Sequence, residues 1–169
     1  MSGKVQAIFI APRASEPMQA VNSVEAIPGV GLKGDRYAVG AGFYSPHPTT
    51  PGAREITLID SGEIAAASEA AGVSLSPAET RRNLVTEGVD LPSLLGKRFS
   101  IGQVVCEGVR DCPPCVHLDG LTGKRLMPHL IRTGGLRARI VDGGLIATGD
   151  SITVIGDAEG PVHKGGDAT

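Results

Sequence analysis

The densest reactive chemistry in the chain lies at residues 110–121, RDCPPCVHLDGL, which hold Cys112 and Cys115 with His117 and Asp119 close behind. Cysteine does chemistry as its thiolate, and nearby positive charge favours that form. Two prolines between the cysteines limit how this backbone bends. The residues alone leave three readings open. In the first, Cys115 is a small buried residue in a tight turn. In the second, Cys112 and Cys115 form a redox pair, or half of a zinc site completed by Cys106 and His117. In the third, Cys115 is a soft ligand for molybdenum, or a nucleophile that carries sulfur as a persulfide. The spacing from Cys106 to His117 is not a standard zinc pattern, and no second CxxC accompanies it. A thioredoxin-type pair needs a βαβ setting, which a β-rich chain is not expected to offer. His117 is either a proton donor beside Cys115 or a packing residue. His47, His129 and His163 carry no usable pattern.

A thiolate or an anionic ligand calls for cations nearby, and three places supply them. Lys33 and Arg36 sit in IPGVGLKGDRY, residues 27–37, where Gly29, Gly31 and Gly34 require unusual backbone angles. Arg81, Arg82 and Asn83 follow Ser76-Pro77-Ala78-Glu79, a capping-box pattern with proline at the first helical position. Arg137 and Arg139 are two residues apart in LRARIV and therefore share a strand face. Arginine forks match phosphate geometry. The competing reading for each is a solvated face with ordinary ion pairs, and Asp35 beside Arg36 reads as a structural one. GLKGD exposes backbone amides but is not a P-loop.

The elements that must position these residues are mostly strands. Residues 4–10 read as a first strand, and residues 18–26 alternate as a second with one face buried. Residues 39–53, rich in Gly, Pro, Ser and Thr, form a long loop with His47 near its tip. REITLI, 54–59, is a strand. Asp60 or Ser61 caps a helix that runs to about Ala71 and stops at Gly72. One helical turn from Ser76 then delivers residues 80–83 into a strand at 83–86, and residues 91–95 form a loop or single turn. Two strands at 98–101 and 103–110, separated by Gly102, lead into the cysteine segment. Residues 122–132 have a helical pattern interrupted by Pro128. A strand at 136–141, a hairpin turn at Asp142-Gly143-Gly144, and strands at 145–147 and 150–155 finish the sheet. Residues 1–155 thus read as one domain and 156–169 as a disordered polar tail.

Composition bounds the function. A length of 169 residues suits one domain with a core, and 24 glycines with 12 prolines spread along it point to many turns in a mainly β fold. A net charge of -2 and 3% aromatic residues argue against nucleic acid, which needs basic excess and stacking rings. No apolar run approaches a membrane span, and the first residues read as a strand rather than a signal peptide. An odd number of cysteines without a signal points to a reducing, cytoplasmic setting.

Taken together, GVGLKGDRYA, REITLID, SPAETRRNLVTEG, RDCPPCVHLDGL and GGLRARIVDGG, in this order, resemble the MOSC domain, the module named for the C-terminal part of molybdenum-cofactor sulfurases. The resemblance runs from about Lys4 to Ile155. It implies a closed, mostly antiparallel β-barrel with a few short helices, and molybdenum-cofactor (molybdopterin) or sulfur chemistry. It singles out Cys115, just before Leu118-Asp119, as the characteristic cysteine and molybdenum ligand, with His117 in support. It also implies that Arg81 and Asn83 hold the pterin phosphate and dithiolene region, with Lys33 and Arg36 contributed by the glycine loop; Arg137, read from its strand face, is a further expected cofactor-binding residue. Two features of larger relatives are absent: the extra N-terminal β domain of amidoxime-reducing proteins and the pyridoxal-phosphate desulfurase domain of sulfurases. The sequence contains no PLP, flavin or iron–sulfur site of its own. The resemblance therefore implies a stand-alone bacterial protein with an external partner. That partner is an electron-transfer protein if the chain reduces N-hydroxylated compounds, or a PLP-dependent cysteine desulfurase if Cys115 carries a persulfide. A third expectation is a non-enzymatic cofactor-binding module.

Overall fold

A computed structural model describes residues 2–40, 42, 50–72, 74–112 and 135–162. Seven strands close into a barrel: β1 (Ser2–Ile10), β11 (Ser151–Asp157), β7 (Lys97–Ile101), β8 (Val104–Asp111), β9 (Leu136–Asp142), β5 (Ile56–Asp60) and β6 (Leu84–Glu87), which returns to β1. Closure rests on antiparallel pairing of Ser2 with Thr153 and Lys4 with Ser151. A closed ring leaves no long edge to pair with other chains. Every neighbour pair in the ring is antiparallel except β5–β6. That one parallel pair requires a crossover, and the helix α1 (Ser61–Ala71) supplies it.

The crossover explains two sequence patterns. Asp60 caps α1, its side chain accepting from the Gly62 amide, and Gly72 ends it with a left-handed φ of 67°. Such a cap is worth about 1 kcal/mol. Ile64 and Ala67 of α1 pack with Ile59 and Val85 on the outside of the barrel, while Ile56, Leu58 and Leu84 face its core. β5 and β6 are thus buried on both faces and read as continuous apolar runs. β9 has only one face inside, so Leu136, Ala138 and Ile140 are buried while Arg137 and Arg139 alternate outward. Phe99, Ile101, Val104 and Cys106 complete the core from β7 and β8.

A second, three-stranded sheet of β3 (Ser23–Ile27), β4 (Gly31–Leu32) and β10 (Gly144–Ala147) lies beside the barrel. It revises three sequence expectations. The single strand at 18–26 breaks at Asn22 into β2 (Gln19–Val21), which pairs with β1, and β3, which leaves for the second sheet. Asp142-Gly143-Gly144 is a turn but not a hairpin: β10 pairs with β3, not with β9. Gly144 makes this exit possible with a φ of 148°. The glycine loop also contains β4, with Gly29, Gly31 and Gly34 all at positive φ as expected.

At its C-terminal end β11 continues to Asp157, beyond the Ile155 at which the domain was expected to stop. Residues 158–162 then run along the barrel. The Ala158 amide donates to the Gly96 carbonyl, and the Glu159 and Gly160 amides donate to the Glu107 carboxylate. The helix expected at 122–132, the tip of the 39–53 loop with His47, and the tail at 163–169 lie outside the described residues. Among the described residues no helix is long and apolar enough to cross a membrane.

Candidate functional site

The turn at residues 80–83 organises the site. Ser76 and Glu79 form the expected capping box, with Glu79 Oε1 accepting from the Ser76 amide at 2.9 Å, and a 3-10 turn spans Pro77–Thr80. Arg81 follows in the left-handed region at φ 59°, where a side chain is strained. Its guanidinium reaches across the chain and donates from Nη1 to the Glu16 carbonyl at 2.6 Å.

Arg36 meets this turn from the glycine loop. Its Nη2 donates to the Arg81 carbonyl at 3.4 Å, and its Nη1 pairs with Asp35 Oδ1 at 3.1 Å. Asp35 is buried and also accepts from the Ala11 and Tyr37 amides, so its role is the expected structural ion pair. The Arg36 guanidinium lies 4.9 Å from the centroid of the Tyr37 ring, within cation–π range. Two guanidinium groups are thereby held near one another in a partly dry setting. Burial first, then the like charge of Arg36, pushes the pKa of Arg81 down, with Tyr37 and Asp35 opposing. Asp35 offsets part of this like-charge cost but leaves the Arg81 pKa lowered, a kind of perturbation that clusters at functional sites.

Three further arginines, Arg54, Arg110 and Arg137, bear on one another electrostatically, and Tyr37 acts on Arg54 as it does on Arg81. Arg110 of β8 stands directly opposite Arg137 of β9 in the ladder, and Arg137 Nη1 donates to the Ala53 carbonyl at 3.4 Å. Burial lowers the pKa of Arg54; Tyr37 opposes the shift, while the charges of Arg137 and Arg110 add to it. Arg139, on the same face as Arg137, goes elsewhere. It pairs with buried Glu107 at 2.7 Å, and Arg98 pairs with the other oxygen of that carboxylate at 3.0 Å. Burial alone would raise the Glu107 pKa, but hydrogen bonds from Arg139, the Glu159 amide, Arg98 and the Gly160 amide bring it down to about 2.

Arg82 bonds nearby backbone carbonyls. Its Nη1 donates to the Thr80 carbonyl at 3.2 Å and its Nη2 to the Cys112 carbonyl at 3.0 Å. The Cys112 amide in turn donates to the Gly135 carbonyl at 2.8 Å. Cys112 and Gly135, the described residues on either side of 113–134, are thus joined beside the Arg81 turn. Cys115 and His117 lie outside the described residues. Cys112 is a buried free thiol. Cys106 is part of the barrel core, and burial followed by the nearby Glu55 pushes its thiol pKa far up. Among the described residues no group of three His, Cys, Asp or Glu could hold a metal. A βαβ unit does exist, β5–α1–β6, but neither Cys106 nor Cys112 lies in it.

Two expected site residues are differently employed. Asn83 is buried in a reciprocal pair with Thr57, its Oδ1 accepting from the Thr57 amide and hydroxyl at 3.1 Å each, while its amide nitrogen donates to the Phe9 carbonyl. These bonds tie β5 and β1 to the segment that enters β6. Lys33 is exposed, and no contact among the described residues ties its ammonium to the arginines. Tyr37, Arg54 and Arg110 are the residues that sequence reasoning missed. The available signals were positional: Tyr37 ends GDRY, Arg54 opens REITLID, and Arg110 opens the cysteine segment.

Residues 36–153, well over half of the chain, match the MOSC domain. The chain belongs to the MOSC domain family. This family is associated with molybdenum-cofactor binding. No protein of curated function matches this MOSC domain. Among solved structures it resembles the YuaD protein from Bacillus subtilis at 20% identity and a TM-score of 0.77, over 91% of this chain and 96% of that one. It also resembles YiiM from Geobacillus stearothermophilus at 14% identity and a TM-score of 0.65, over 90% of this chain and 75% of that one. YiiM from Escherichia coli is similar at 15% identity and a TM-score of 0.66, over 96% and 73% of the respective chains. At these identities the likeness is one of fold.

Proposed function

We propose that this MOSC domain binds the molybdenum cofactor and reduces N-hydroxylated compounds with electrons from a separate protein. The observation that carries this reading is the meeting of buried Arg36 and half-buried Arg81, where the Arg36 guanidinium bonds the carbonyl of a strained Arg81 backbone and its charge reaches the Arg81 guanidinium. The donor set fits the group: planar guanidinium forks suit a phosphate monoester, which carries about two negative charges. Arg36 and Arg81 are assigned to the pterin phosphate. Asp35 fixes the Arg36 fork, and Tyr37 covers its face. Asn83 is left out of the clamp because its oxygen is committed to Thr57, and Lys33 because it is exposed.

Cys115 is assigned as the thiolate ligand to molybdenum, and the metal, when bound, supplies the two-electron chemistry. The protein's part is to keep the thiol ionised and correctly placed. Arg82 anchors the Cys112 carbonyl, three residues before Cys115 in the sequence. His117 is assigned as proton donor to the oxygen that leaves as water.

Metal and sulfur analysis of protein from a cofactor-producing host tests the reading. Molybdenum is expected in wild type and lost in Cys115→Ser. Folded wild-type protein without molybdenum sinks the reductase reading. Cyanide-labile sulfur on wild type, absent from Cys115→Ser, instead supports a persulfide carrier fed by a PLP-dependent desulfurase.

A further inference from the structure

Residues 12–18, PRASEPM, connect β1 to β2 and reach the Arg36–Arg81 pair on the way. Both ends of this arm are fixed. On one side the Ala11 carbonyl accepts from the Arg36 amide at 2.6 Å, and the Ala11 amide donates to Asp35 Oδ1 at 3.1 Å. On the other, Gln19 pairs with Ile10 in the antiparallel β1–β2 ladder. Between them the arm holds no strand or helix, and Pro12, Arg13, Ser15 and Pro17 are exposed. Two of its acceptors meet the pair. The Glu16 carbonyl takes Arg81 Nη1 at 2.6 Å, and the Met18 sulfur takes Arg36 Nη1 at 3.4 Å. Acceptors two residues apart thus sit on the two guanidinium groups assigned to one phosphate. The arm is also strained. The Glu16 amide donates to the Arg13 carbonyl to close a turn, and Ser15 within it is left-handed at φ 67°. Among the described residues, Ser15 and Arg81 are the two non-glycine residues at positive φ, and they flank the Glu16–Arg81 bond. Strain of this kind persists only where the surroundings impose it, and it gathers at clamps and switches.

From this we infer that residues 12–18 are a gate over the Arg36–Arg81 anion site, held shut by the Glu16 carbonyl and the Met18 sulfur and opened by the anion that replaces them. The inference rests on the proposed function, which makes this pair an anion clamp. A phosphate oxygen is charged and accepts from a guanidinium more strongly than a neutral carbonyl does, and a thioether is a weaker acceptor still. The exchange therefore favours the anion, and giving up the Glu16 bond lets Ser15 leave the left-handed region. A largely exposed segment without regular structure opens locally at low cost. A ligand without a charged acceptor has no such advantage over the Glu16 carbonyl, so the gate selects for anions.

Inorganic phosphate is the probe, added to the full chain from a host that makes no molybdenum cofactor. Calorimetry reports binding, and trypsin reports the gate, because Arg13 lies within it with its side chain 79% exposed. Saturating phosphate is expected to speed cleavage after Arg13 about tenfold or more, the effect of giving up one hydrogen bond from a charged donor. In Arg81→Ala, cleavage is expected to be fast from the start and phosphate binding to be lost, and circular dichroism melts confirm that the variant folds. Met18→Leu keeps the volume but removes the acceptor, and phosphate should bind it about two- to threefold more tightly. Phosphate that binds without speeding cleavage after Arg13, or a folded Arg81→Ala variant cleaved as slowly as wild type, overturns the gate while the clamp stands. Weaker phosphate binding in Met18→Leu also overturns it, because Met18 then supports the Arg36 fork instead of barring it. Phosphate binding that is absent from wild type, or unaffected by Arg81→Ala, overturns the clamp and the gate with it.

Discussion

Replacing Arg81 by glycine and by alanine separates the two things this residue does. Its backbone is left-handed at φ 59°, which costs a residue with a side chain about 1–2 kcal/mol. Glycine removes that cost but adds about 0.5–1 kcal/mol of freedom to the unfolded chain. Both variants lose the bond from Nη1 to the Glu16 carbonyl, worth about 1–2 kcal/mol for a charged, partly buried donor. Both also lose the repulsion from Arg36, which returns part of it. Both variants should therefore fold, with Arg81→Gly more stable than Arg81→Ala by about 0.5–1 kcal/mol. For a domain of this size that is a melting temperature about 1–4 °C higher. Scanning calorimetry measures the difference, and pterin analysis of the same samples measures the clamp. Pterin should be depleted equally in both, because the guanidinium is missing from each. An alanine variant that melts at or above the glycine variant refutes the strain argument. A glycine variant with full pterin content refutes the assignment of the guanidinium.

Three further expectations address the scaffold and the cysteines. Asn83→Ala removes the acceptor of the Thr57 amide and hydroxyl protons and the side-chain donor to the Phe9 carbonyl, so urea unfolding should show a loss of about 2–4 kcal/mol, whereas a loss under 1 kcal/mol contradicts the reciprocal pair. Glu107 has a folded pKa of about 2 against an ordinary 4.5, so it stabilises the fold above pH 4.5 and loses that contribution as pH falls towards 2. The contribution is about 1–3 kcal/mol after allowance for solvent around Arg98 and Glu159. Urea titrations across that window should show a steeper stability loss in wild type than in Glu107→Gln, and parallel curves contradict the network. Cys112→Ser should leave molybdenum in place while Cys115→Ser removes it; equal loss would return the two thiols to a shared site.

What the sequence revealed was mostly local. Asp60 and Gly72 bound α1 because capping is decided within a few residues, and the Ser76–Glu79 box is equally self-contained. The period of two in LRARIV placed Leu136, Ala138 and Ile140 inside. The barrel itself was legible through the combined family motifs rather than through any one strand. Pairing partners were not legible. Nothing local says that the chain leaves the barrel at Asn22 and again at Gly143, because β3 and β10 find each other across more than a hundred residues. The same limit applies to the site. Spacing put Arg137 and Arg139 on one face, but only the register of β8 sets Arg139 against Glu107 and Arg137 against Arg110. Asn83 stands next to the arginines in sequence, yet the parallel pairing of β5 and β6 turns its amide to Thr57. Arg36 and Arg81 are forty-five residues apart and meet only once the glycine loop folds over the Arg81 turn.

The most direct test of the central claim is the pterin and molybdenum content of wild-type protein from a cofactor-producing host, set against Arg36→Gln. The account predicts about one pterin and one molybdenum per wild-type chain and a strong depletion of both in a folded Arg36→Gln variant. A folded wild-type protein that holds neither, or a variant that holds as much as wild type, contradicts it.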